Sequence, residues 1–218
     1  RDIIAFDQDS DSYKHFLENK NIDAYRNWII FCRTNFSNLY LQLSELKINT
    51  VNGVFADLGV SSKQLDDKSR GFSFNSDDVL DMRMDKTKNI SAYDVVNSFS
   101  KEQLQDIFFK YGEESFAKQI AEEINNYRVK GKIKTCNQLS DIVCRVKWKK
   151  GKINPATKIF QTLRITVNDE LGSLEKMLDS AAKILNTSGR IVILTYHSLE
   201  DRIVKQKFKD LSKDNFII

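Results

Sequence analysis

The sequence predicts an α/β fold: a parallel sheet covered by helices on both faces and interrupted by an all-helical insert. Three observations predict it. Short continuous apolar runs alternate with helical patterns towards both ends of the chain, which is how strands buried on both faces read. The middle of the chain carries apolar residues at helical spacing and no strand signal. Charge is also segregated: residues 124–168 hold eleven basic residues against the single acid Asp141, a net +10 in a chain of net +4, so the remainder is −6. A basic part grafted onto an acidic one suggests a polyanion-binding module.

In chain order, residues 2–6 read as a buried strand ending at Asp7, and residues 10–19 as a helix with Tyr13, Phe16 and Leu17 on one face. A second strand is expected over 28–32, a helix over 36–46 with Leu39, Leu43 and Leu46, and a third strand over 51–56, closed by Asp57-Leu58-Gly59. Such a sheet places ligands outside the carboxyl ends of its strands. Between about 91 and 146 the pattern is helical: Leu104, Ile107, Phe108 and Tyr111 share one face, and Phe116, Ile120, Ile124 and Tyr127 another. After Pro155 one long helix is expected, carrying Val167, Leu171, Leu174, Leu178, Ala181 and Leu185, and ended by Ser188-Gly189. A further strand follows over 190–196. The expected division is a core of 1–88 and 166–218 around an insert at 89–165.

The 218 residues suffice for a substantial core, and 41% hydrophobic with 29% charged is an ordinary globular balance. No run of 18 apolar residues exists, so no membrane partner is expected. Cys32, Cys136 and Cys144 form no CxxC pair. They read as core thiols in a reducing cytoplasm. The chain opens almost directly on a buried strand without Met, which reads as a fragment.

Several groups could carry chemistry. Asp7 and Asp57 stand at strand ends. Asp7 suits ribose hydroxyls; a helix N-cap or a solvated loop acid is the alternative. The turn Asp57-Leu58-Gly59-Val60-Ser61-Ser62 lets backbone approach a ligand closely. Arg70-Gly71-Phe72-Ser73-Phe74, followed by Leu80-Asp81-Met82-Arg83-Met84-Asp85, sets aromatics beside a glycine. Such rings stack a splayed base or pin the loop to the core. His197 precedes Glu200-Asp201-Arg202 and suits either proton relay or a satisfied structural role. With only His15 and His197 present, a histidine-rich metal site is excluded. Arg145, Lys147, Lys149, Lys150 and Lys152 surround Trp148, with Lys158 beyond. That cluster suits phosphates and a stacked base, or a solvated helix tip.

Taken together, these strings resemble the bacterial family that methylates N4 of a cytosine in the decoding region of 16S ribosomal RNA. "DLGVSSKQLDD" spans 57–67, "RGFSF" 70–74, "LDMRMD" 80–85, "YGEESFAKQIA" 111–121, "NPATKIFQTLRI" 154–165 and "HSLEDRIVK" 197–205. The resemblance implies a Rossmann-like class I methyltransferase sheet with an inserted all-α domain for RNA, and S-adenosylmethionine as cofactor. It implies cofactor contacts at Asp7, Phe36, Asp57 and Gln64. Asp81, Arg83, His197 and Asp201 fall in strings lining the active cleft. We read Asp57, Ser61, Asp81 and His197 as the catalytic set, with no metal, and the loop 57–62 as holder of the target amine. RNA contacts are expected from Arg83, Arg145, Lys147, Trp148, Lys149, Lys150, Lys152 and Lys158.

The implied partner is 16S ribosomal RNA within the small subunit, in the cytoplasm, with no DNA; a homodimer is compatible. Some features depart from the family. Its first strand and Gly-rich cofactor loop have no counterpart before Arg1, nor its basic tail after Ile218. Asp78-Val79 replaces the usual Gly-Pro, and Asn154 the usual His. The rival reading is a truncated or degenerate relative that holds RNA without catalysis. A nicotinamide dehydrogenase lacks support, since no G-x-G-x-x-G turn is present.

Overall fold

The computed structural model describes residues 2–74, 76–147 and 154–213. Its strands are β1 (Ile3–Phe6), β2 (Ile29–Cys32), β3 (Val51–Asp57) and β4 (Leu185–Leu194). Its helices are α1 (Ser10–Glu18), α2 (Leu39–Glu45), α3 (Ser62–Asp66), α4 (Ala92–Ser98), α5 (Lys101–Gly112), α6 (Ala117–Lys130), α7 (Cys136–Val146), α8 (Thr157–Asn168), α9 (Glu170–Ile184) and α10 (Ser198–Ser212). They form two units, residues 1–59 with 171–218, and residues 60–170.

In the first unit all strand pairing is parallel, as the apolar runs predict. β1 pairs with β2, with Ile3 opposite Ile29 and Phe6 opposite Cys32. β3 pairs with β4, with Gly53 opposite Arg190 and Asp57 opposite Leu194. Alternation along each strand decides what is buried. Val54, Ala56, Ile191 and Ile193 point into a core built by Leu39 and Leu43 of α2, Leu174, Met177, Leu178 and Ala181 of α9, and Val204 of α10. Leu43 and Leu178 are fully buried, each worth about 1.5–3 kcal/mol of transfer free energy. α1 lies over β2 through Tyr13 and Phe16, whose rings stand 5.2 and 5.1 Å from Phe31. The expectation of cover on both faces holds for one face of β3–β4 only. Phe55, Val192 and Leu194 are exposed among the described residues, because α2, α9 and α10 all pack on the Val54 side.

The second unit is helical, with its own core: Val95 and Val96 of α4, Leu104 and Phe108 of α5, Ile120 and Ile124 of α6, Leu139 and Ile142 of α7, Ile159 and Leu163 of α8. It also takes in Phe72, Leu80, Met82 and Met84 from the preceding loop, so the unit starts ahead of the expected insert. Capping boxes open α3 (Ser61/Gln64), α4 (Ser91/Asp94), α5 (Ser100/Gln103) and α7 (Thr135/Gln138). Each pairs two amides that a helix start leaves without partners. Phe116 departs from the expected buried stripe and is exposed, because α6 begins at Ala117 and leaves Phe116 at the N-cap.

The long helix after Pro155 is two helices. Asp169 adopts a left-handed conformation, φ 51°, which ends α8 before α9 begins at Glu170. The helix also stops at Ile184 rather than Ser188, and β4 begins at Leu185. Ser188 has φ 65°, and the β3–β4 register shifts between Val51 and Gly53. The Asn-Thr-Ser-Gly stretch is thus an irregular strand start, not a helix stop.

Candidate active site

At the carboxyl end of the β3–β4 pair, Asp57 is the last residue of β3, directly opposite Leu194. Two residues beyond Leu194 the chain delivers Tyr196, whose hydroxyl donates to Asp57 Oδ1 at 2.6 Å. That hydrogen bond, then burial, then the charges of Asp57 and Glu200 raise the phenol above its ordinary pKa. Gly59, φ 94°, turns the chain away beside the Tyr196 ring. His197 is the N-cap of α10: its Nδ1 accepts from the Glu200 amide at 3.4 Å. The neutral ring therefore carries its proton on Nε2. Nε2 lies 3.3 Å from Glu200 Oε1, outside hydrogen-bond geometry, and is buried. Buried Glu200 accepts the Tyr196 amide through Oε2 at 2.9 Å. One carboxylate thereby fixes the backbone at Tyr196 while His197 caps the helix behind it.

Asp7 directly follows β1, and Phe36 lies in the turn after its partner strand β2. The Asp7 amide donates to Cys32 O at 3.3 Å, and its Oδ1 accepts the Asp9 amide at 2.8 Å. Asp9, buried, is itself the N-cap of α1, so the capping alternative belongs to Asp9 and leaves Asp7 at the strand edge. Asn35 Nδ2 donates to Gln8 Oε1 at 3.1 Å and ties this loop to the turn that carries Phe36. Phe36 is half-buried against the first unit's core.

The other expected residues lie in the helical unit. Ser61 and Gln64 cap each other: the Ser61 amide donates to Gln64 Oε1 at 2.9 Å, and the Gln64 amide to Ser61 Oγ at 3.2 Å. Asp81 and Arg83 form a bidentate pair at 2.7 and 2.9 Å. Arg83 Nη1 donates to Lys88 O at 2.7 Å. Burial pushes the Asp81 carboxyl up, but the Arg83 hydrogen bonds and the Arg83 and Arg70 charges outweigh it, so it sits below the usual range. That pairing makes Asp81 a poor base and leaves the Arg83 guanidinium largely occupied. The base-stacking and core-pinning readings of "RGFSF" divide: Phe72 is buried in the core, while Phe74 is half-buried against it, edge-on to Phe160.

Of the basic residues, Lys147 donates to Glu114 Oε2 at 2.6 Å, and Glu114 is only 2% exposed. Lys158 donates to Glu113 O at 2.9 Å near the end of α5. Arg145 is exposed, 4.0 Å from Glu123. Trp148, Lys149, Lys150 and Lys152 lie outside the described residues.

Sequence reasoning missed Tyr196 and Asn168, and it named Glu200 beside His197 and Arg70 in its loop without the contacts they make. Period-two alternation through Val192 and Leu194 could have placed Tyr196 on the face of Asp57. Arg70 Nη2 donates to Arg83 O and Met84 O, and Asn168 Nδ2 to Met82 O; contacts so distant in the chain leave no local signal. Burial pushes the Cys136 thiol up to about 12, which fits its reading as a core cysteine. Among the described residues no helix is long and apolar enough to cross a membrane.

Comparison with known proteins follows the same lines. Residues 1–217 match the MraW methylase family. Ribosomal RNA small subunit methyltransferase H of Endomicrobium trichonymphae is 53% identical over 207 residues, 95% of this chain and 70% of that protein. The protein of the same name from Oceanobacillus iheyensis is 48% identical over 217 residues, 97% of this chain and 66% of that protein. Its namesake from Clostridioides difficile is 44% identical over 215 residues, 97% and 68% respectively. The chain thus spans about two thirds of the length of these relatives.

Proposed function

The chain belongs to the MraW methylase family, and on that premise we propose that it methylates N4 of a cytosine in the decoding region of 16S ribosomal RNA, within the small subunit. The cofactor of this chemistry is S-adenosylmethionine. The observation that carries the reading is the Asp57 carboxylate, set at the carboxyl end of a parallel strand with Oδ1 held by Tyr196. Oδ2 accepts no hydrogen bond among the described residues.

The residues suit the cofactor. Asp7 is a carboxylate at a strand edge, in a loop stiffened by the Asp9 amide, and such a group accepts ribose hydroxyls. Phe36, half-buried in the turn after β2, offers an aromatic face for adenine. Bound there, the cofactor supplies an electrophilic methyl group. An exocyclic base amine is a weak nucleophile because its lone pair is delocalised into the ring. Asp57 Oδ2 accepts one amine N–H, which localises the lone pair, and takes the proton as the nitrogen becomes cationic. Positioned acceptors of this kind contribute roughly 10²–10⁴-fold. His197 and Glu200 act by holding the turn that presents Tyr196. RNA binding falls to the helical unit, where Arg145, Lys132 and Lys134 are exposed. Extruding the cytosine frees N4 from pairing.

The test is methylation of small ribosomal subunits by the protein its gene encodes, read by mass spectrometry of nucleosides. Formation of N4-methylcytosine is expected. Asp57→Ala should lower turnover by at least about 100-fold, with cofactor binding measured separately by calorimetry. RNA binding without methylation would support the holding role instead.

A further inference from the structure

Tyr196 is held at both ends yet left uncovered. Glu200 Oε2 fixes its amide at 2.9 Å, and Asp57 Oδ1 fixes its hydroxyl at 2.6 Å, across 139 residues of sequence. The residue is nevertheless 67% exposed. Ordering a side chain costs rotamer entropy, which burial ordinarily offsets; little burial does so here. The ring lies at the carboxyl end of β4, where parallel sheets bind ligands. We propose that Tyr196 is the stacking platform for the target base, latched in place by Asp57. The inference rests on the RNA methylation reading.

The geometry assigns distinct work to the two ends of the side chain. The π-face accepts an extruded pyrimidine, as aromatic side chains do for unpaired bases. The hydroxyl keeps the ring from rotating and fixes the plane of the Asp57 carboxylate. The raised phenol keeps its proton across the neutral range, so the latch persists there. A base lying on that ring would carry its exocyclic amine next to the same carboxylate. Platform and proton acceptor would then be set by one hydrogen bond.

The experiment compares Tyr196→Phe, Tyr196→Leu and Tyr196→Ala with the unsubstituted protein. Circular dichroism confirms folding, and calorimetry measures cofactor affinity. The substrates are a small-subunit particle for kinetics and an RNA carrying a fluorescent cytosine analogue at the target position for binding. Tyr196→Ala and Tyr196→Leu should raise KM for RNA roughly tenfold to a hundredfold, abolish quenching of the analogue, and leave cofactor affinity unchanged. Tyr196→Phe should keep the quenching and lose less than about tenfold, because the ring remains. Equal damage from Tyr196→Phe and Tyr196→Ala would overturn the inference, since the hydroxyl alone would then matter. So would unchanged quenching in Tyr196→Ala, or a loss confined to cofactor binding. No methylation by the unsubstituted protein sinks the RNA reading and this inference together; methylation with an indifferent Tyr196→Ala sinks only the inference.

Discussion

At Gly71 a single hydrogen atom decides whether the 70–84 loop can close. The residue sits at φ 71°, and an added Cβ would stand 2.5 Å from the Asp81 amide nitrogen and 2.6 Å from Val79 O. Both neighbours are backbone, so neither can swing aside. The same short stretch holds Met82, buried at φ 60°, a left-handed conformation that costs a non-glycine residue about 1–2 kcal/mol. Asn168 offsets that strain by accepting from the Met84 amide and donating to Met82 O, both at 2.8 Å. Gly71→Ala adds both a left-handed penalty and a backbone clash. It should lower unfolding free energy by on the order of 3 kcal/mol, read as a shifted urea midpoint. A change under about 1 kcal/mol would mean that the loop closes differently.

The start of α6 shows how an element can claim a residue that charge alone assigns elsewhere. Glu114 Oε1 accepts the Phe116 amide at 3.0 Å, and its Oε2 pairs with Lys147 just past the end of α7. The carboxylate is almost wholly buried, so removing Lys147 strands a charge. Lys147→Ala should therefore destabilise the helical unit by about 3 kcal/mol, and Lys147→Ala with Glu114→Gln should recover part of it. Equal stability of Lys147→Ala and the unsubstituted protein would sink this account. Sequence reading placed Lys147 with the phosphate-binding cluster because it sees local charge, not a carboxylate 33 residues away. The same blindness explains the other differences. The strands at Ile3, Ile29 and Val51 were legible because continuous apolar runs are local. The break at Asp169 was not, because the apolar stripe runs on from Val167 to Leu174 as though the helix continued. Asp7 and Asp57 could be placed at strand ends from the pattern of runs and turns, whereas Phe36 entered only through the family resemblance. The Tyr196 latch on Asp57 depends on the register of β3 against β4, which neither segment encodes alone.

For the whole molecule, the segregation of charge has a measurable consequence. The basic stretch divides into Lys147, whose ammonium is committed to the buried Glu114 carboxylate, and cations facing solvent, Lys158 among them, which donates to the neutral Glu113 carbonyl and keeps its charge. Lys132 and Lys134 are exposed on the connection between α6 and α7. Only the second group can displace counterions from RNA, because an ammonium committed to a buried carboxylate has no free charge to offer. Each phosphate contact contributes roughly 0.7–0.9 to the slope of log affinity against log salt. Replacing Lys132 and Lys134 together by alanine should thus flatten that slope by between one and two, and should weaken binding across RNA sequences alike. Lys147→Ala should leave the slope as it was while lowering stability. Fluorescence anisotropy with a ribosomal RNA fragment, titrated at several potassium chloride concentrations below the unfolding temperature of each variant, separates these effects. If the double replacement leaves the slope intact, the phosphate-facing surface lies elsewhere on the molecule, and the division between engaged and free cations does not govern RNA binding.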